Sequence, residues 1–208
     1  MNRITLSFSI ILILMFWACA GTENETKTAK DPVKDGPEME VAKVVEPASS
    51  SDGLYEVKVL KGDIPSPMKQ MTTSVGGTKV VIVYGSPSAK DRVLYGDLVP
   101  YDAVWRTGAN EATTFEASSA IKIEGKELPA GKYGLFSIPG EQDWTIIFNS
   151  VSDQWGAYEY KDSQDVLRVK VIPQSTEEMS ETMEFSVKDG KIVYHWGKLQ
   201  VPFSVAGA

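Results

Sequence analysis

The densest group of polar and aromatic side chains in the chain lies between Trp105 and Glu111. The planar guanidinium fork of Arg106 suits a carboxylate or a phosphate, the Asn110 amide suits a hydroxyl, and Glu111 can act as an acid, a base or an acceptor. The segment precedes a predicted strand, and rigid scaffolds often present functional side chains at such places. A structural interpretation stays open, in which Arg106 pairs with Glu111 and Asn110 closes an Asx turn.

A second aromatic and polar loop follows at residues 153–160. Trp155 and Tyr158 offer flat ring faces beside hydrogen-bonding groups, which is the combination that sugar-binding platforms use. The same side chains would equally close the open end of a β-sandwich. Together the two loops predict a binding site for a glycan or another small polar ligand, formed by Trp105, Arg106, Asn110, Glu111, Trp155 and Tyr158.

The sequence lacks the motifs of several enzyme classes. Ser66 and Lys69 have the Ser-x-x-Lys spacing of penicillin-binding enzymes, but the Ser-Asp-Asn and Lys-Thr-Gly partners are missing. The chain has one histidine, His195, and one cysteine, Cys19, so neither an intrachain disulfide nor a cysteine-based zinc site can form. We therefore predict no metal site and no cofactor.

These loops must be positioned by β-strands. From residue 54 onward, short β-branched and aromatic runs alternate with turn residues, and no stretch keeps a helical period. The pattern predicts an all-β domain of about ten strands, either a two-sheet β-sandwich or a jelly roll. Val80–Val83 is apolar on both faces, as in an interior strand. Further strands are expected at Leu54–Leu60, Thr113–Ala117, Ala120–Ile123, Tyr133–Ile138, Trp144–Phe148, Val166–Ile172 and Val201–Val205.

Three turn dipeptides predict hairpins: Gly76-Gly77, Glu124-Gly125 and Asp189-Gly190. If Asp189-Gly190 is a two-residue loop, His195 lies opposite Glu184 on a mixed face of the hairpin. The opposite, apolar face then pairs Val187 with Ile192, Phe185 with Tyr194 and Met183 with Trp196. We therefore interpret His195 as a member of a cross-strand pair and not as a catalytic base.

The charge of the chain limits its partners. The formal net charge is −7, and no basic stripe offsets it locally. Such a protein repels the phosphate backbone that dominates nucleic-acid affinity, so we predict that it does not bind nucleic acid.

Residues 1–18 have the pattern of a bacterial lipoprotein signal peptide. Arg3 supplies a positive start, and Ile4–Ala18 is an apolar run too short to span a bilayer comfortably. The junction before Cys19 resembles a lipobox, which implies that this cysteine becomes the lipidated N-terminus. We predict lipidated Cys19 with a flexible acidic tether at 19–53, and a β-sandwich domain at 54–208. A lipid anchor would hold the protein on a membrane of the bacterial cell envelope, with the periplasmic or surface side left open.

Five segments of the domain carry a family resemblance: Tyr95–Tyr101, Val104–Thr114, Leu128–Phe136, Gln154–Tyr158 and Asp165–Val169. Together they resemble the domain-of-unknown-function family 2911, a set of bacterial exported proteins. The resemblance covers roughly residues 66–205. It implies an exported β-rich domain, without an activity or a catalytic residue to carry over.

Three functions remain open from the sequence. The first is a noncatalytic binding module for a glycan or other small polar ligand. The second is a hydrolase or lyase with Glu111 and Asp153 as acid and base, which requires two carboxylates in one cleft. The third is an envelope scaffold that binds another protein through an exposed apolar patch.

Overall fold

The computed structural model describes residues 48–49 and 53–208 of the chain. These residues form twelve β-strands and one short 3-10 helix, arranged in two antiparallel sheets. The predicted all-β sandwich is confirmed, with slightly more strands than expected. The predicted signal peptide, Cys19 and most of the predicted tether lie outside the described residues.

The larger sheet contains eight strands. They are β1 (Ala48–Ser49), β2 (Tyr55–Lys61), β3 (Met68–Val75), β4 (Thr78–Gly85), β5 (Thr113–Ala117), β8 (Gly131–Ile138), β9 (Trp144–Asn149) and β10 (Asp165–Val171). Their order across the sheet is β1-β2-β3-β4-β5-β8-β9-β10. Strand β4, which contains the predicted interior run, lies in the middle of this sheet.

The smaller sheet contains four strands. They are β6 (Ile121–Ile123), β7 (Lys126–Leu128), β11 (Gln174–Lys188) and β12 (Lys191–Gly207), in the order β11-β12-β6-β7. The predicted strand at residues 201–205 is part of the long strand β12. All recorded pairings in both sheets are antiparallel.

The main core lies between the two sheets, because strand side chains alternate and one face of each sheet is apolar. Ile82, Phe115 and Phe148 contribute from the larger sheet, and Phe185 and Phe203 from the smaller. The rings of Phe115 and Phe148 meet edge to face at 5.0 Å. Burial of each such side chain stabilises the fold by about 1.5–3 kcal/mol.

A small second cluster covers the opposite face of the larger sheet. Phe136 on β8 and Ile147 on β9 point away from the main core but are fully buried. Ala157 and Tyr160, from the connection between β9 and β10, pack against them. This loop is therefore fixed to the sheet by an apolar contact of its own.

The three predicted hairpins are confirmed. Both residues of each turn dipeptide have positive φ, as a type I′ turn requires, and the turns join β3 to β4, β6 to β7 and β11 to β12. Glu184 pairs with His195, as predicted, and Phe185 pairs with Tyr194. The register shifts between Glu184 and Ser180, and the predicted pairing of Met183 with Trp196 is not among the pairs formed.

Candidate functional site

Two long connections are joined beside the larger sheet. We call residues 86–112, between β4 and β5, the Trp105 loop, and residues 150–164, between β9 and β10, the Trp155 loop. The backbone N–H of Gly156 donates to the Asn110 carbonyl at 3.1 Å. The two loops in which the sequence predicted a site are thus connected directly.

The backbone on either side of Arg106 is fixed by neighbouring contacts. Trp105 exchanges two backbone hydrogen bonds with Ser137 on β8, at 2.8 and 2.9 Å. Thr107 has a φ of 49°, which is unusual for a β-branched residue. Its hydroxyl donates to the Ser137 hydroxyl at 3.0 Å, and its carbonyl accepts from the Thr113 hydroxyl at 2.8 Å. These bonds hold the backbone on both sides of Arg106 and maintain the strained conformation of Thr107.

A groove of about 580 Å³ lies where the two loops meet. Its walls come from both loops, from the short segment before β3 and from β12. The lining residues are Ser66, Pro87, Arg92, Leu98, Val99, Pro100, Ala103, Val104, Trp105, Arg106, Gly108, Ala109, Asn110, Ala157, Tyr158 and Trp196.

Trp105 forms part of the floor of this groove. Its side chain is only 8% exposed. The ring stacks on Trp196 at 6.4 Å and meets Trp144 and Tyr194 edge to face at 6.4 and 5.9 Å. Trp105 therefore joins the groove to the hydrophobic core, and most of its surface packs against protein.

Arg106 is a half-buried cation without a partner. Its Nε is buried and has no hydrogen-bond partner, and no carboxylate in the described part of the chain forms an ion pair with it. Its terminal amino groups form no hydrogen bond or ion pair within the described part of the chain, and Arg106 lines the groove. Loss of hydration on burial lowers the pKa of the guanidinium, and the nearby Tyr158 opposes this effect. The Arg106–Glu111 pair of the structural interpretation is not formed.

Asn110 and Tyr158 lie at the margin of the groove. Asn110 has a φ of 64°, a conformation that asparagine tolerates better than most residues, and its amide donates to the Ser66 carbonyl at 3.3 Å. Asn110 thus ties the Trp105 loop to the segment before β3. Tyr158 is 85% exposed, so its ring is available to a ligand.

The comparisons with known proteins identify a family. A family described as "Protein of unknown function (DUF2911)" matches residues 66–205. The chain belongs to this family. The resemblance found in the sequence is therefore confirmed, and the matched DUF2911 region contains the groove and both loops. No curated protein and no solved structure matches the chain.

The other two predicted site residues, Glu111 and Trp155, do not line the groove of the DUF2911 domain. Glu111 is exposed and lines a separate depression of about 350 Å³, together with Asp153, Lys132 and Thr114. Trp155 is 60% exposed, and its backbone forms an isolated bridge with that of Glu111. The structure thus brings Trp105, Arg106, Asn110 and Tyr158 together and places Glu111 and Trp155 beside them.

Gln154 forms part of the wall of the second depression. It is only 5% exposed, and its Nε2 donates to the Val151 carbonyl at 2.7 Å. Its Oε1 is buried without a hydrogen-bond partner. This amide thus holds the Trp155 loop at the cost of one unsatisfied acceptor.

Sequence reasoning did not identify two residues that line the groove. Arg92 lies in a part of the Trp105 loop that carries no dense polar cluster, so no local pattern marked it. Trp196 was assigned to the core from its place in the predicted hairpin, and it is indeed buried, but it also lines the groove. Only the crossing of β12 beneath the Trp105 loop brings it there.

Within residues 53–208, His195 does not belong to a cluster suited to a metal ion. The His195 Nε2 lies 3.2 Å from the backbone carbonyl of Glu178. No cluster of three or more histidine, cysteine or carboxylate side chains suited to a metal occurs in residues 53–208. Within the same part of the chain, no helix has the length and hydropathy needed to cross a bilayer.

Proposed function

We propose that the DUF2911 domain of this chain is a noncatalytic binding module for a glycan or another small polar ligand. One observation supports the proposal above all others: a single groove unites Trp105, Arg106, Asn110 and Tyr158 from two separate loops. Its volume of about 580 Å³ falls within the range of small-molecule sites.

The composition of the groove suits a sugar-sized ligand. Tyr158 presents an exposed ring face against which the apolar face of a sugar can pack, while Asn110 and Arg106 supply hydrogen-bonding groups. The floor is rigid because Trp105 and Trp196 belong to the core. A preformed site loses little conformational entropy when it binds.

The test is a panel of oligosaccharides titrated against the purified protein by calorimetry, with Tyr158→Ala and Trp155→Ala as matched variants. Both residues are exposed aromatics of the same loop, but only Tyr158 lines the groove. We expect Tyr158→Ala to weaken the binding of short ligands about tenfold, because it removes ring contacts worth about 0.5–1.5 kcal/mol together with the apolar area that the ring buries. Trp155→Ala should affect only longer ligands that extend past the groove.

The absence of any binding across the panel would overturn the proposal. Equal effects of Tyr158→Ala and Trp155→Ala on the shortest ligands would place the site elsewhere on the Trp155 loop. In both cases, unchanged melting temperatures of the two variants would show that the domain remains folded.

The second depression favours an alternative activity, a carboxylate-based hydrolase or lyase. The proposal is supported by Glu111 and Asp153, which both line this depression together with Lys132. If this proposal is correct, the protein releases reducing ends from a polysaccharide, and Glu111→Gln and Asp153→Asn each abolish the release. Binding without turnover, unaffected by either substitution, would support the binding module instead.

We also propose that the chain is exported and anchored in the bacterial cell envelope through a lipidated Cys19. The proposal is supported by the apolar run before this residue and by the polar segment that follows it. Metabolic labelling with a fatty acid in a bacterial host tests it. The parent chain should incorporate the label and sediment with membranes, whereas Cys19→Ala should incorporate none.

A further inference from the structure

The groove is positively charged within an acidic protein. The chain has a formal net charge of −7, but the charged residues that line the groove are Arg92 and Arg106, and no aspartate or glutamate among the described residues lines it. Solvent-exposed charges at random positions on this chain would be acidic more often than basic. The local reversal of sign therefore indicates a ligand of negative charge.

The state of Arg106 strengthens this indication. Half-buried cations in folded proteins are usually paired, since burial removes hydration that only a partner can replace. Arg106 has lost hydration at Nε without gaining a partner, its two terminal amino groups have no hydrogen-bond partner among the described residues, and the residue lines the groove. An anion that binds these amino groups would supply the missing partner.

Arg92 is held in a way that preserves its charge. Its Nε donates to the Ala89 carbonyl at 3.0 Å, and one terminal amino group donates to the Ser88 carbonyl at 2.6 Å. These partners are neutral backbone groups, so they orient the guanidinium without neutralising it. The other terminal amino group has no protein partner within residues 53–208 and remains available.

We infer that the groove selects ligands that carry an anionic group with paired oxygens, a carboxylate or a phosphate, on a sugar-sized body. This inference rests on the proposed binding function and narrows its ligand class. The two terminal amino groups of Arg106 donate hydrogen bonds to two oxygens of the anion, because a planar guanidinium matches a carboxylate or phosphate in a bidentate arrangement. Tyr158 packs against the uncharged part of the ligand, and Arg92 adds a second positive charge.

The test compares matched ligands that differ in charge. The probes are hexuronic acid trisaccharides, the same trisaccharides as methyl esters, and hexose phosphates, each titrated by calorimetry against the purified protein. We expect the acids to bind about tenfold or more tightly than the esters, because hydrogen bonds to charged groups are stronger than neutral ones. The difference should shrink as salt is added.

Three variants assign the effect to Arg106. Arg106→Gln should remove the preference for the acid over the ester, and Arg106→Lys should restore only part of it, because lysine keeps the charge but lacks the planar fork. Lys79→Gln is the control: it removes the same charge from an exposed position on β4 outside the groove, so the preference should stay. Arg106→Gln should fold normally, since it removes an unpartnered cation, and its melting temperature checks this.

The possible outcomes separate the inference from the proposed function. If esters and acids bind equally and Arg106→Gln changes neither, the inference is overturned while the binding module stands. If no probe binds but an oligosaccharide of the earlier panel does, the inference alone is overturned, and if neither set binds, both are overturned. If hexose phosphates bind in an Arg106-dependent manner and the uronic acids do not, the inference holds with phosphate as the anion.

Discussion

Gly85 and Ala109 are in such close contact that no side chain fits between them. Gly85 ends β4, and an added β-carbon at this position would clash with the carbonyl oxygen of Ala109 in the Trp105 loop. The N–H of Ala109 donates to the Gly85 carbonyl at 3.3 Å. The position of the groove wall therefore depends on a glycine at the end of a sheet strand.

We predict that Gly85→Ala destabilises the domain by about 1–3 kcal/mol, because backbone atoms must move to admit the methyl group. Urea denaturation of the parent and the variant measures this difference. Gly62→Ala is the control, since the added methyl would make only an ordinary contact with Val59, and it should change stability by less than about 0.5 kcal/mol. Equal stabilities for Gly85→Ala and the parent would show that the Trp105 loop is not held against β4.

The two tryptophans of the predicted site should differ strongly in their contribution to stability. Trp105 is buried among Trp144, Tyr194 and Trp196, whereas Trp155 is 60% exposed. Trp105→Ala should cost about 3–5 kcal/mol, as large-to-small changes in cores do. Trp155→Ala should cost less than about 0.5 kcal/mol. Guanidinium denaturation measures both, and a large loss for Trp155→Ala would mean that its exposed ring packs on a neighbour in solution.

The strands and hairpins could be predicted because their signals are local. Asp189-Gly190 sets the register of its hairpin through turn geometry alone, and the pairing of Phe185 with Tyr194 follows from it. A glycine inside a strand indicates a bulge or a close approach by another segment, and Gly134 lies inside β8. In the structure an added β-carbon there would lie 2.7 Å from the Val151 carbonyl of the Trp155 loop. The shift in register beyond Glu184 was not predictable, because no local residue signals it.

The candidate site was only partly predictable, because it depends on contacts between distant segments. Trp105 and Arg106 are neighbours in sequence, but one lies in the core and the other opens onto the groove. Arg92 and Trp196 reach the same groove from other segments, which only the tertiary fold brings together. Glu111 directly follows Asn110 but lines a different depression, beyond the left-handed turn that the backbone makes at Asn110.

Replacing the carboxylate of Asp165 by an amide should destabilise the domain far more than the same replacement at Glu111. Asp165 has a side chain only 7% exposed and accepts hydrogen bonds from Arg168 Nε at 2.6 Å, Tyr160 Oη at 2.6 Å and Asn149 Nδ2 at 2.8 Å. Asp165→Asn should therefore destabilise the domain by about 3 kcal/mol, since it leaves a cation and other donors short of an acceptor.

Glu111→Gln is the matched comparison. Glu111 is exposed and has no ion pair within the described part of the chain. The free energy of unfolding of this variant should therefore equal that of the parent within about 0.5 kcal/mol. Thermal unfolding of the two variants side by side measures the difference. A fall of many degrees for Glu111→Gln would reveal a structural partner and would weaken its assignment to a ligand or catalytic site.

Buried tyrosine hydroxyls should make the domain sensitive to alkali. The Tyr194 hydroxyl lies 2.8 Å from that of Tyr95, which donates in turn to the Trp196 carbonyl at 3.1 Å. Burial raises the pKa of Tyr84, Tyr95 and Tyr194 well above the ordinary value. The unfolded chain therefore releases these protons near pH 10, while the folded chain retains them.

Because the folded pKa values are raised, the stabilisation is fully present below about pH 10 and is lost as the pH rises further, by about 1.4 kcal/mol per pH unit for each tyrosine. Tyr194→Phe should make this decline shallower, whereas Tyr158→Phe, at an exposed position, should leave it unchanged. Free energies of unfolding in urea across this alkaline range measure the slopes. Identical slopes for Tyr194→Phe and the parent would show that the Tyr194 hydroxyl is not buried in solution, and the groove floor above it would then be open to water.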